Sequence, residues 1–179
     1  QKTVSKPASA KSRQATTAKS KPAGRNLTQA AAQWREAQTL AVHSASALVF
    51  DQKAGDALFQ KNANAVAPIA SITKLMTAMV VLDGMPNLEA PISIADDDID
   101  TLRGSRSRLH VGAVLNRETA LLLALMSSEN RAAQALARHY PGGLPAFVAA
   151  MNDKAQSLGM LNTHFDDPTG LSSSNVSTA

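Results

Sequence analysis

The chain has 179 residues, room for one domain or two small ones, and its 44% hydrophobic and 18% charged residues are the balance of an ordinary globular protein. It has no cysteine, so no disulfide framework requires an oxidising compartment, and no apolar run approaches the ~20 residues that span a bilayer. The formal net charge of +4 belongs to one end: residues 1–29 hold seven basic residues and no acid, leaving 11 basic against 14 acidic residues in 30–179, a body near −3 that argues against a nucleic-acid-binding fold.

In chain order, residues 1–29 are Lys, Ala, Ser, Thr and Pro with almost no bulky apolar side chains. Such a stretch cannot bury enough surface to offset its ordering entropy, so a basic disordered tail or linker is expected over 1–40 and a folded portion over 41–179. The tail reads either as a solvated linker or as a peripheral contact with an anionic envelope. The chain opens on Gln1 without a signal-peptide pattern, as expected of a mature secreted chain or a shortened one.

Ser46–Phe50 and Ala57–Lys61 are apolar stretches around Asp51-Gln-Lys-Ala-Gly-Asp56, which predicts a β-hairpin. A helix is predicted from Pro68 through Leu82. It is apolar nearly all round, which predicts full burial, and Gly84 and Pro86 stop it. Residues 87–112 read as irregular, with a solvated acidic cluster at Asp96, Asp97, Asp98 and Asp100 balanced by Arg103, Arg106 and Arg108. A helix follows from Arg117 to Met126, a polar break at Ser127-Ser128-Glu129-Asn130, and helix again to Arg138. A last helix runs from Pro145 to Leu158, where Gly159 is set to end it in the left-handed conformation. Asp166-Asp167-Pro168-Thr169-Gly170 reads as a turn-rich loop, and the methionines of the first and last helices as core filler.

Lys74 is the most informative residue. Its helical neighbours three and four positions away are Ala70, Ser71, Thr77 and Ala78, none of them acidic. Desolvation and the positive end of the helix dipole both disfavour its charged form, and a neutral lysine amine is a general base. Ser71 lies three residues earlier on the same face, where that amine can activate its hydroxyl. The competing reading of these residues alone is that Ser71 caps the helix and Lys74 snorkels to solvent. Ser128-Glu129-Asn130 adds a hydroxyl for proton relay and an amide for holding a peptide backbone, or else is a plain turn between helices.

Ala70-Ser71-Ile72-Thr73-Lys74-Leu75-Met76-Thr77-Ala78 resembles the nucleophile segment of the low-molecular-mass penicillin-binding proteins, the serine D-alanyl-D-alanine carboxypeptidases and endopeptidases. Met126-Ser127-Ser128-Glu129-Asn130-Arg131-Ala132-Ala133 is similar to their second motif. So are Tyr140-Pro141-Gly142-Gly143, Met151-Asn152, Leu158-Gly159-Met160 and Asp167-Pro168-Thr169-Gly170-Leu171, and the likeness covers about residues 44–179. The family's signatures are Ser-x-x-Lys, Ser-x-Asn and Lys-Thr-Gly.

The resemblance implies an α+β fold of the penicillin-binding and β-lactamase type, with helices on an antiparallel sheet that is incomplete in this chain. It implies Ser71 as acylated nucleophile, Lys74 as base, Ser128 as proton relay and Asn130 as holder of the substrate amide. The implied substrate is the stem peptide or cross-link of peptidoglycan, met in the periplasm or otherwise outside the cytoplasm. β-Lactam antibiotics are the implied covalent inhibitors. The endopeptidase branch is the expected match. No cofactor is implied, because nucleophile, base and relay are all side chains.

The third signature is missing: Lys154 is the only lysine after residue 130, and Ala155 and Gln156 follow it. A C-terminally truncated peptidase domain is therefore expected, with the hairpin short of neighbouring strands. It should also be a poor catalyst, since one lost oxyanion donor costs about two to three orders of magnitude. The alternatives are a catalytically incomplete peptidoglycan- or penicillin-binding fragment, and a β-lactamase relative, though no Glu follows residue 130 to act as a second base. His43, His110, His139 and His164 lack the spacing of a zinc pair, and the acidic cluster lacks the pattern of a calcium loop, so no metal is expected.

Overall fold

The computed structural model describes residues 41–84 and 86–179; the tail expected over 1–40 lies outside the described residues. Ala41–Ala179 forms one compact unit. It opens with β1 (Ala47–Asp51) and β2 (Asp56–Lys61), an antiparallel hairpin with a register shift between Val49 and Phe50. Asp51 builds the turn: its Oδ1 accepts from the Lys53 and Ala54 amides at 2.8 and 3.0 Å. Beyond the hairpin come β3 (Ala67–Pro68), a 3-10 turn (Ala70–Ile72) and helix α1 (Thr73–Asp83). The helix predicted from Pro68 thus starts later, because Pro68 is taken up pairing with Val176 of β6 (Val176–Ser177).

Residues 87–112 are less irregular than expected. β4 (Pro91–Ser93) pairs with β5 (Val114–Asn116), and a 3-10 turn covers Asp96–Asp98. Helix α2 (Arg117–Met126) begins where the Asn116 side chain accepts from the Thr119 amide at 2.8 Å, an N-cap bond that fixes its start. Helix α3 (Asn130–Arg138) follows the polar break, then α4 (Gly143–Ser157). Gly159 adopts φ +74°, the left-handed stop that its position predicts.

The core is helical. Helix α3 lies at its centre, packed against α1, α2 and α4, and its Ala132, Ala133, Ala135 and Ala137 are fully buried with Leu136. Small side chains there let three neighbours approach closely. Phe147 and Met151 of α4, Met76 and Val80 of α1, and Ile92 of β4 complete the packing. The class is α+β, as expected, with small antiparallel sheets: the helices close on β4–β5, and among the described elements the two hairpin strands pack on each other.

Three expectations need correction. Helix α1 is not buried all round, since Leu75, Met79 and Leu82 form an exposed stripe with Ile72 just before them. The helix interior needs only the face carrying Met76, Thr77, Val80 and Val81, and among the described residues nothing covers the other side. Met79 is accordingly not core filler, whereas Met76 and Met151 are. The acidic cluster is not simply a solvated loop either. Asp98 is buried and forms a two-pronged pair with Arg138 of α3 at 2.9 and 3.0 Å, while Arg103 donates to the Leu171 carbonyl instead. A buried carboxylate needs such a fork to replace its lost hydration.

Phe147 is fully buried between α4 and the rest of the core and meets Tyr140 edge-on at 5.2 Å between ring centroids. Phe147→Ala is expected to cost about 3–5 kcal/mol, read from urea unfolding followed by circular dichroism.

Candidate active site

The nucleophile candidate lies in a turn under backbone strain. Ala70, just before Ser71, has φ +47°, a left-handed conformation unusual for a residue with a side chain. Ser71 sits in the 3-10 turn, and neither that turn nor α1 has a side-chain cap. The capping alternative for Ser71 is therefore out. Lys74 does not snorkel: it is only 2% exposed, at the second position of α1.

Lys74 Nζ lies 3.1 Å from Ser71 Oγ, 3.3 Å from Ser128 Oγ and 2.7 Å from the Thr169 carbonyl oxygen. Ser128 Oγ donates to Ser71 Oγ at 2.8 Å. Ser128 reaches Ser71 because the break between α2 and α3 is sharply bent: Ser128 has φ +53°, and the Ser127 and Glu129 amides both donate to the Leu123 carbonyl. The Glu129 carboxylate then accepts from the Arg131 amide and caps α3. Three of the four expected site residues, Ser71, Lys74 and Ser128, are thus in mutual hydrogen-bond reach. Asn130, at the first position of α3, donates through Nδ2 to Ser105 Oγ at 2.9 Å and lines an adjoining cavity of about 170 Å³ with Gln134 and Thr169.

Burial lowers the pKa of Lys74 below its ordinary value of 10.5, against the opposing pull of the Asp167 and Glu129 carboxylates. The setting is not the purely apolar one that the helix pattern implied. The amine is shielded from water yet surrounded by two hydroxyls and a carbonyl. Nζ donates to all three, and Ser128 Oγ donates to Ser71 Oγ, so every polar group around the amine has a partner.

The loop Asp166–Asn175 holds this arrangement, and sequence reading assigned it no role. Asp167 Oδ1 accepts from the Gly170 amide at 2.7 Å and from the Thr169 amide and hydroxyl; Oδ2 accepts from the Ser172 amide at 2.7 Å. So tied, the loop offers the Pro168 carbonyl to Thr77 Oγ1 at 2.7 Å and the Thr169 carbonyl to Lys74. Asn175, fully buried, uses its whole amide: Nδ2 donates to Thr73 Oγ1 and the Asp167 carbonyl, and Oδ1 accepts from the Asp166 and Asp167 amides. A Cβ on Gly170 would come within 1.9 Å of the Ala70 carbonyl oxygen, and the backbone there has φ +82°, so only glycine lets the loop press on the nucleophile turn. The signal in the sequence was Asp167-Pro168-Thr169-Gly170 itself, whose partners on α1 lie some 90 residues away.

With this geometry in hand, the family model for peptidase S11, D-alanyl-D-alanine carboxypeptidase, matches residues 22–179. The chain belongs to the peptidase S11 family. Among similar S11 proteins, a D-alanyl-D-alanine endopeptidase of Pseudomonas aeruginosa is 58% identical over 136 residues, covering 76% of this chain and 44% of the relative. A D-alanyl-D-alanine endopeptidase of Escherichia coli is 50% identical over 138 residues, covering 77% and 44%. The chain thus spans less than half the length of these S11 relatives. Among solved structures, a variant of the Streptomyces K15 DD-transpeptidase superposes with a TM-score of 0.70 at 31% identity, covering 76% of this chain and 57% of that one. The S11 fold is therefore the penicillin-binding type that the motifs implied, with part of its sheet present.

His139 Nδ1 pairs with the Ala135 carbonyl, the His164 backbone pairs with Val176, and among the described residues no group of His, Asp and Glu forms a metal cluster. Among those residues, no helix is long and apolar enough to cross a membrane.

Asn175→Ala leaves the Thr73 hydroxyl and three backbone groups of the loop without their partner. It is expected to cost about 1–3 kcal/mol in urea unfolding and to loosen the Thr169 carbonyl from Lys74.

Proposed function

We propose that this chain carries the nucleophile-bearing portion of a serine D-alanyl-D-alanine peptidase, with 41–179 as the N-terminal part of its peptidase domain. The proposed substrate is a peptidoglycan stem peptide or cross-link, acted on in the periplasm or otherwise outside the cytoplasm. One observation carries the reading: a buried amine with a lowered pKa stands 3.1 Å from one serine hydroxyl and 3.3 Å from another.

In the proposed reaction, neutral Lys74 takes the Ser71 proton as Oγ attacks the D-alanyl carbonyl. Backbone N–H groups at the start of the helix favour the developing oxyanion. The proton passes from Lys74 through Ser128 to the leaving amine, the scissile C–N bond breaks, and an ester on Ser71 remains. Water then hydrolyses the ester and returns the proton to the network. Asn130 holds the substrate backbone. Endopeptidase action on cross-links is favoured over carboxypeptidase action because the Pseudomonas aeruginosa and Escherichia coli relatives, at 58% and 50% identity, are named D-alanyl-D-alanine endopeptidases. β-Lactams are proposed as covalent inhibitors of the same serine. A β-lactamase needs a second base for rapid deacylation. The nearby acid, Asp167, has both carboxylate oxygens committed to loop groups, which supports a long-lived acyl-enzyme.

Incubation with a fluorescent penicillin tests the nucleophile. Covalent labelling is expected, absent in Ser71→Ala and slowed about 10²–10⁴-fold in Lys74→Met. A folded sample that takes no label overturns the peptidase reading in favour of a binding module, and rapid turnover of nitrocefin overturns it in favour of a β-lactamase.

The labelling rate also has a predicted pH dependence. The reactive form of Lys74 is the unprotonated one, so the rate rises with pH and levels off above the lysine's pKa. Because burial lowers that pKa, the midpoint of the rise is expected below 10.5. A midpoint at or above 10.5 in stopped-flow acylation contradicts a desolvated base.

A further inference from the structure

Asn130 is the one expected site residue that does not touch Ser71, Lys74 or Ser128 through a direct hydrogen bond; its bond goes to Ser105, 25 residues away in a loop with no regular structure. A carboxamide has a donor end and an acceptor end of nearly equal shape, and a half-turn about its last bond exchanges them. A residue that holds a peptide backbone must present one end reliably, so something has to tie the other.

The loop around Ser105 is built to do this. Asp100 Oδ1 accepts from the Leu102 and Arg103 amides at 2.8 and 3.0 Å, and its Oδ2 accepts from the Ser105 amide at 2.7 Å. The loop is also tied to the opposite rim, where Arg103 Nε donates to the Leu171 carbonyl at 2.9 Å. Burial pushes the Asp100 carboxyl up, but hydrogen bonds outweigh it and hold the pKa down to about 2; the Ser105 side chain is the strongest of these, ahead of the three backbone amides. Asp100 is thus an anion at any working pH. The Ser105 amide is fixed by its bond to this carboxylate, and the Ser105 hydroxyl oxygen so placed accepts from Asn130 Nδ2.

We propose that Ser105 is a positioning residue for Asn130: held by the bond of its own amide to Asp100, it accepts from Nδ2 and so fixes the orientation in which the carboxamide meets the substrate's peptide backbone. This deepens the acyl-enzyme reading of the same site and rests on it. Ser105 touches no reacting atom, and its effect passes through Asn130 alone.

The test is the second-order rate of labelling by fluorescent penicillin, measured on the full chain. Ser105→Ala is expected to slow labelling about 10-fold, within the range of coupling between directly bonded side chains, while leaving the unfolding midpoint nearly unchanged. Ser105→Thr, which keeps the hydroxyl, restores the rate. In an Asn130→Ala background, Ser105→Ala has no further effect, a non-additivity that a merely structural role does not produce. Ser105→Cys keeps the volume while weakening the hydrogen bond; it carries the same expectation should Ser105→Ala fail to fold. A wild-type rate in Ser105→Ala, or an equal loss with and without Asn130, overturns the positioning role while leaving Ser71 acylation intact. A folded wild-type chain that takes no label overturns both.

Discussion

A primary amine with a lowered pKa, held between two serine hydroxyls and a backbone carbonyl, is the interaction on which the rest of this structure converges. Lys74 Nζ meets Ser71, Ser128 and Thr169, groups from three segments separated by 54 and 95 residues in sequence from the lysine. Each partner matters for a different reason. The two hydroxyls lie on segments of their own and bring a second serine to the first. The carbonyl accepts an N–H bond from the amine and holds it in place. Burial does the rest, since it is the charged form that suffers when water is removed.

The fold bears the conformational cost of this convergence in the backbone. Ala70 and Ser128, two of the three non-glycine residues with positive φ among the described residues, flank or form the site. Left-handed conformations of this kind persist only where the surroundings over-determine them. Here the surroundings are identifiable. The Asp166–Asn175 loop, tied internally by Asp167 and Asn175, leans on the Ala70–Ser71 turn through Gly170 and on α1 through Thr77 and Thr73. The alanine-rich α3 anchors the other side, with its buried end locked by Arg138 and Asp98. Rigid elements thus meet at a strained junction, a common way of pre-organising a reactive centre.

Much of this was legible before any coordinates. The hairpin, α2, the break at Ser127–Glu129, and α3 and α4 were recoverable within a residue or two, because their turn residues and apolar periods are local signals. The Ser71–Lys74 pair was legible for the same reason, as residues three apart on a helix share a face. What escaped was non-local. The register of β3 with β6 rests on two residues at each end, too short to leave a pattern. The exposed stripe of α1 was read as buried because composition reports what a face is made of and not what covers it. Asp98 was assigned to solvent because its partner, Arg138, is 40 residues away on another element.

The sequence by itself determined the boundaries of α2, α3 and α4, the breaks and glycine stops, and that Ser71 and Lys74 share a helix face, since these follow from properties of a few neighbouring residues. Only the tertiary structure decided that Ser128 reaches Ser71, that Thr169 lends its carbonyl to Lys74, that Ser105 meets Asn130, and that the lysine is shut away from water. Hydrogen bonds and desolvation depend on what is brought together in space, and here the partners come from segments tens of residues apart.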